Sequence, residues 1–150
     1  MNNKKKIGMI SHHTDKRDII EWVKYNEGSL KDTIIYATYE TGHEIEDNTG
    51  LKVEKEAELK LGDDFSLKIR FKESKKGGDK EIGSLLVAKL LDYFIYFWDP
   101  LTPQPHDVAV KSLLRNAVLY KIALACNPST ADHLITSNLF PRSIYTYGSK

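Results

Sequence analysis

The sequence has little cysteine, no excess charge of either sign and no long apolar run, and each shortage removes a class of protein. One cysteine in 150 residues, Cys126, excludes an intramolecular disulfide framework and a multi-cysteine zinc site, and it suits a reducing compartment. The 22 Lys and Arg stand against 21 Asp and Glu, a formal charge of +1, so the field of the whole chain offers nothing to a nucleic acid or a membrane surface. Any charged ligand must be held by a local cluster. No stretch approaches the roughly 18 apolar residues that a membrane span needs, since even residues 93–98 stop at Asp99 and Pro100. The basic start MNNKKK leads into a short apolar stretch that Ser11, His12 and His13 interrupt before a signal-peptide core forms. Repeats, low-complexity tracts and a dividing linker are also missing. The expectation is one cytoplasmic domain over residues 1–150, with 41% hydrophobic residues to build its core and neither a nucleic acid nor a membrane as partner.

Short apolar runs alternate with segments of helical period, which is the pattern of an α/β domain with a mostly parallel sheet. Strands are expected at 6–11, 33–38, 51–57, 93–98 and 122–126, with a last short one at 143–147. Helices are expected at 14–25 with Gly28 as the stop, from Thr41-Gly42 through Ile45, along the stripe Ile82, Leu85, Leu86, Leu90 and Leu91, and at 106–121 and 129–136. Residues 59–74 differ. Phe65, Leu67, Ile69 and Phe71 alternate with Ser66, Lys68, Arg70 and Lys72 behind the turn Gly62-Asp63-Asp64, so this segment reads as an inserted β-hairpin whose apolar face needs cover.

In a doubly wound sheet, ligands bind at the carboxyl ends of the strands, and the polar residues that break pattern fall there. They are Ser11, His12, His13 and Lys16 after the first strand, and Thr38, Tyr39, Glu40, Thr41 and Gly42 after the second. Ser74, Gly77, Gly78 and Asp79 precede the stripe helix, and Asp99, His106 and Asp107 follow the strongest strand. Each has a plain structural reading too. Thr-Gly at a helix start is a cap, although the same free amides and helix dipole also receive a phosphate. Gly-Gly-Asp is a turn with an N-cap, and the lysine runs are solvated charge. His12, His106 and His133 lack metal-ligand spacing such as HExxH, so no metal site is expected.

The segment FWDPLTPQPHDVAVKSLLR, residues 97–115, closely resembles the methylglyoxal synthases, whose strand, loop and helix read FFWDPL, a short spacer, then PHDPDVKALLR. Other matches follow in order. IGMISH with Lys16 resembles the family's IALVAHD and its following lysine; IYAT with Thr41-Gly42 resembles LYATGTTG; Thr49-Gly50-Leu51 resembles ATGL. GGDKEIG is similar to GGDQQVG, and CNPSTADHL to TNxATADF. The likeness runs over about residues 6–137, broken by the hairpin at 59–74. It implies a three-layer, doubly wound fold and a carbon–oxygen lyase that converts dihydroxyacetone phosphate to methylglyoxal and phosphate through an enediolate, without a metal or organic cofactor. On the matching positions Asp79 is the base, His106 polarises the carbonyl and His12 orients the reacting oxygens. Lys16, Thr38, Thr41, Gly42 and Ser74 hold the phosphate of a small phosphorylated substrate, while Asp99, Asp107 and Arg115 tie loops or neighbouring subunits together. A homo-oligomer, a hexamer in the family's enzymes, is implied as well.

This chain departs from the family's pattern close to those positions. An aspartate after the first histidine becomes His13; Gly-Thr in the phosphate loop becomes Tyr39-Glu40; the serine of Ser-Gly-Pro becomes Glu73, with Ser74 and Lys75 beside it. The second aspartate of PHDPD, which sits beside the base, becomes Ala109, and the family's late arginine has Arg142 as its counterpart candidate. A Glu40 carboxylate facing a phosphate would cost on the order of a few kcal/mol per charge at an effective dielectric near 20. A second reading therefore fits the same residues: a module that keeps the fold and crevice without this reaction, binding another small anion or serving as an interaction domain.

Overall fold

The computed structural model describes residues 4–12, 16–60, 62–73, 78–101, 107–137 and 140. In chain order these form β1 (Lys6–Ser11), α1 (Lys16–Tyr25), α2 (Glu27–Leu30), β2 (Ile34–Ala37), α3 (Tyr39–Asn48), β3 (Val53–Glu54), β4 (Glu56–Lys60), β5 (Ser66–Arg70), α4 (Gly78–Val87), β6 (Tyr93–Phe97), α5 (Asp107–Leu119), β7 (Ala123–Ala125) and α6 (Pro128–Thr136). Five strands make one sheet in the order β3-β2-β1-β6-β7, and every pair in it is parallel. The order reverses direction between β1 and β6, so the crevice of this doubly wound sheet opens at their carboxyl ends. The last strand expected at 143–147 lies outside the described residues.

The central strands are apolar on both faces because both faces are covered. Ile7 and Met9 of β1 and Tyr93, Ile95 and Phe97 of β6 pack with Ile19, Val23, Ile45 and Ala131 from α1, α3 and α6. Ile10, Phe94 and Tyr96 point the other way, into Ile82, Leu85, Leu86, Val110 and Leu113 of α4 and α5. This strict alternation fixes which residues at the strand ends face which helices. Burial, and then the Asp92 charge, push the Tyr93 phenol up to about 12, and its hydroxyl donates to the Phe140 carbonyl at 2.7 Å. Among the described residues no helix is long and apolar enough to cross a membrane.

Several boundaries differ from the sequence expectation. Gly28 lies inside α2 instead of ending the preceding helix; the break falls at Asn26, whose side chain donates to the Trp22 carbonyl at 2.9 Å. Helix α3 starts at Tyr39, directly after β2, because the Thr38 carbonyl already accepts from Gly42 N–H at 2.8 Å. The strand expected at 51–57 divides. Only Val53 and Glu54 pair with β2, anchored by Val53 N–H on Glu46 Oε2 at 2.9 Å, and the chain turns at Lys55 to begin the hairpin at Glu56. The hairpin therefore starts earlier than 59, with Leu59 opposite Leu67. Its apolar face is covered along β4, where Ala57 and Leu59 are buried, and at Phe71, while Phe65 is 63% and Leu67 47% exposed.

The stripe helix ends at Val87, before Leu90 and Leu91. Lys89 takes a left-handed φ of 59°, with Lys89 N–H on Leu86 O at 3.0 Å and Leu90 N–H on Leu85 O at 2.9 Å, the paired bonds of a Schellman stop. Helix α5 ends the same way around Lys121, φ 58°. A β-carbon in that conformation is strained and glycine is not. Lys89→Gly should therefore raise unfolding stability by about 0.5–1 kcal/mol in a urea titration, and a loss of stability would contradict this account of the stop.

Candidate active site

The β1–β6 ladder places the first group. Ser11 pairs with Phe97, and the pairing runs one residue further, with His12 N–H donating to the Phe97 carbonyl at 3.1 Å. His12 thus falls on the same side of the sheet as Ile10 and Tyr96. Its Nε2 lies 2.9 Å from the Tyr96 hydroxyl, the rings meeting edge to face at 5.2 Å and 85°.

Asp79 arrives from α4. Its Oδ2 is 3.4 Å from His12 Nε2 and 3.5 Å from the Tyr96 hydroxyl, and His12, Asp79 and Tyr96 are 3%, 2% and 0% exposed. Asp79 Oδ1 is buried and has no hydrogen-bond partner among the described residues. The residue before it makes this approach possible. A β-carbon at Gly78 would lie 2.1 Å from the Lys72 carbonyl oxygen and 2.9 Å from that of Glu73, so only glycine lets the first turn of α4 lie against the hairpin's return. The Lys72 main chain then bridges two helix starts. Its carbonyl accepts from Tyr39 N–H at 3.1 Å, and its N–H donates to Glu81 Oε1 at 2.8 Å, with Lys72 Nζ on Glu81 Oε2 at 3.2 Å. The hairpin that interrupts the family likeness is therefore joined to the crevice.

The start of α3 forms the neighbouring wall. Thr38 and Thr41 are fully buried. The Thr38 hydroxyl donates to Thr41 Oγ1 at 3.1 Å and makes no cap on α3, while Thr41 Oγ1 also accepts from Ser11 N–H at 3.2 Å. These hydroxyls knit β1 to α3, and the helix dipole is left to act on a ligand. Gly42 packs α3 against β3, since a β-carbon there would meet Val53 Cγ1 at 3.1 Å. Tyr39 is half exposed and turned along its own helix, 3.0 Å from His43 Nε2, and Glu40 is half buried in the same turn.

Of the residues singled out from sequence, Asp79 and His12 come into contact, and Thr38, Thr41 and Gly42 line the adjoining wall. Lys16 opens α1 and Asp107 opens α5, but nothing is described of their side chains or of Ala109. His13, Ser74, Gly77, His106 and Arg142 lie outside the described residues. Asp99 accepts from Leu101 N–H at 2.9 Å and shapes the turn after β6, and Arg115 is exposed on α5. Tyr96 was missed. It reads as one more apolar strand residue, yet it stands where the family motif FFWDPL has its first phenylalanine, and a phenol in a dry strand needs a polar partner. Among the described residues no group of three metal-ligating side chains is found.

A carboxylate, an imidazole and a phenol hydroxyl meet out of water at the switch point of a parallel sheet, where the core needs no polar atom. Such a cluster is the mark of an enzyme of the doubly wound α/β class. Comparison with known proteins agrees. No family model matches the chain. It is 41% identical over 136 residues to the methylglyoxal synthase of Coxiella burnetii (strain RSA 493 / Nine Mile phase I), covering 91% of this chain and 85% of that one. It is also 41% identical over 139 residues to that of Leptospira interrogans serovar copenhageni, covering 93% and 84%. The crystal structure of methylglyoxal synthase from Elizabethkingia anophelis NUHP1 shares the fold at a TM-score of 0.77 and 30% identity, over 97% of this chain and 88% of that one. The chain belongs to the methylglyoxal synthase family, and the resemblance read from its motifs holds.

Replacing Thr41 by valine keeps the shape but leaves the Ser11 N–H without its acceptor. The cost should be about 1–3 kcal/mol in equilibrium denaturation, and unchanged stability would show that the hydroxyl does not tie β1 to α3.

Proposed function

We propose that the chain is a methylglyoxal synthase, a carbon–oxygen lyase that converts dihydroxyacetone phosphate to methylglyoxal and inorganic phosphate. The observation that carries this beyond family membership is the buried Asp79 carboxylate, with Oδ2 against His12 and Tyr96 and Oδ1 without a hydrogen-bond partner among the described residues. A carbon-bound proton is weakly acidic, and removing it needs a base free of competing hydrogen bonds and held at a fixed point. Asp79 Oδ1 takes a proton from the hydroxyl-bearing carbon, and the electron pair moves onto the carbonyl oxygen to give the enediolate. The terminal hydroxyl then gives its proton to that oxygen, and the pair left behind forms the aldehyde C=O, shifts the double bond to the phosphate-bearing carbon and expels phosphate, which takes the proton held on Asp79. The resulting enol moves its hydroxyl proton to carbon to become methylglyoxal, and Asp79 is again ionised.

His12 faces the reacting oxygens, and His106 is assigned to the carbonyl through its place in the motif. The phosphate is assigned to the start of α3, where the dipole and the main chain around Thr38, Thr41 and Gly42 favour an anion, with Lys16 supplying charge and Ser74 a hydroxyl. Asp99, Asp107 and Arg115 are assigned to loop and subunit organisation. This scheme uses only the chain's own side chains, in keeping with the absence of a cofactor that the resemblance implies. We further place the protein in the cytoplasm as a single domain and a homo-oligomer, with the exposed Phe65 and Leu67 of the hairpin as the apolar surface that subunit packing would cover.

The test is direct. Purified protein given millimolar dihydroxyacetone phosphate should release methylglyoxal and phosphate in equal amounts, and Asp79→Asn should lower kcat by about 10²- to 10⁴-fold while the melting temperature holds. A folded protein without turnover overturns the proposed reaction, and an active Asp79→Asn variant overturns the choice of base.

A further inference from the structure

We infer that Tyr96 is a positioning residue of this site, whose hydroxyl holds Asp79 Oδ2 and the His12 ring so that Oδ1 is left as the basic oxygen. The inference rests on the proposed reaction for its kinetic consequence and on geometry alone for the hydrogen-bond arrangement. Three heavy atoms form a triangle: Tyr96 Oη to His12 Nε2 at 2.9 Å, His12 Nε2 to Asp79 Oδ2 at 3.4 Å, and Tyr96 Oη to Asp79 Oδ2 at 3.5 Å. All three residues are buried, and the phenol is the donor in its contact with Asp79 Oδ2.

The phenol has one hydrogen to give. If it went to His12, Nε2 would be bare, and it would face an ionised Oδ2 at 3.4 Å with no hydrogen between two acceptors. If it goes to Asp79, Nε2 carries a hydrogen and donates to the phenol oxygen across the short 2.9 Å contact. The second arrangement runs from His12 Nε2–H to Tyr96 Oη–H to Asp79 Oδ2 and leaves no two bare acceptors facing each other. The contact of 3.5 Å to Asp79 is long for a formed O–H···O bond, as distances in unliganded sites often are before substrate draws them in. The carboxylate is thereby made unsymmetrical, with one oxygen restrained by the phenol and the other open.

The strand explains why a tyrosine can do this. Tyr96 follows Phe94 on the face turned to α4, its Cα pairs with Ile10, and its ring packs at 5.5 Å from that of Phe94. The ring is locked in the core and only the hydroxyl reaches the polar triangle. Phenylalanine at this place would fill the same volume and lose only that oxygen, which makes Tyr96→Phe a clean probe.

Two readouts on Tyr96→Phe decide the matter. In the wild type, nitrogen-15 spectra of His12 should show a hydrogen on Nε2, and the variant should shift that signal because the phenol no longer accepts from it. With dihydroxyacetone phosphate, kcat should fall by about 10- to 100-fold, the loss usual when a group that orients an active residue is removed, and KM should stay within about twofold because substrate binding is untouched. Unchanged kcat overturns the inference whatever the imidazole does. Should the wild type itself not turn over, the proposed reaction falls alone, and an unchanged His12 signal in the variant then overturns the arrangement around Tyr96.

Discussion

The pairing of β1 with β6 sets the position of the groups that matter, because both strands are central and each hands its last residues to the crevice. Ile10 lies beside Tyr96 and Ser11 beside Phe97, and the next main-chain bond, from His12 to Phe97, carries the ladder into the loop. A shift of one residue would turn His12 and Tyr96 to the opposite face, away from α4. The shift is prevented by the apolar alternation itself: Ile7, Met9, Tyr93, Ile95 and Phe97 fill one core, and Ile10, Phe94 and Tyr96 fill the other. Site geometry and core packing are therefore one constraint.

Burying Asp79 is costly, since a carboxylate taken from water must be compensated by its surroundings. Here the compensation comes from His12 and Tyr96 on one oxygen, at the start of a helix whose dipole favours negative charge. The position is held from behind by main chain. Gly78 allows the close approach, and Lys72 joins the start of α3 to the first turn of α4. The inserted hairpin ends in that same residue, and Phe71 next to it is buried against Tyr36, with ring centroids 6.0 Å apart. The start of α3 and the first turn of α4, which carries Asp79, are thus placed side by side by one stretch of backbone.

Much of this was legible from sequence because it rests on side-chain pattern. The continuous apolar run at 93–98 and the helical stripe from Ile82 point to the sheet and its cover, and the motifs around Asp79 and His12 point to two of the three groups at the centre. What escaped depends on contacts that no pattern announces. Tyr96 looks like a core residue until its hydroxyl is seen beside His12, and the tie between the Thr41 hydroxyl and the Ser11 amide appears only in the contacts. The bridging role of Lys72 lies in its carbonyl and N–H, which every residue but proline possesses. The ends of α4 and α5 were misplaced because lysines, in place of glycine, occupy the left-handed stop. The split of residues 51–57 lies in main-chain bonds, from Val53 N–H to Glu46 and from Phe71 N–H to the Lys55 carbonyl, that side-chain pattern does not show.

The balanced net charge of the chain conceals a local contest. Against the family's motifs, Glu40 and Glu73 are added beside the starts of α3 and α4 while an aspartate is replaced by Ala109, and Tyr96 brings a phenol to Asp79. The account holds that Asp79 still removes a carbon-bound proton in these altered surroundings. The most direct measurement is the rate of methylglyoxal formation from dihydroxyacetone phosphate carrying deuterium on its hydroxyl-bearing carbon, compared with the ordinary substrate. Slower conversion of the deuterated substrate is the predicted result. Equal rates under conditions where the chemical step limits turnover would contradict the claim that breaking this bond is the work of the site.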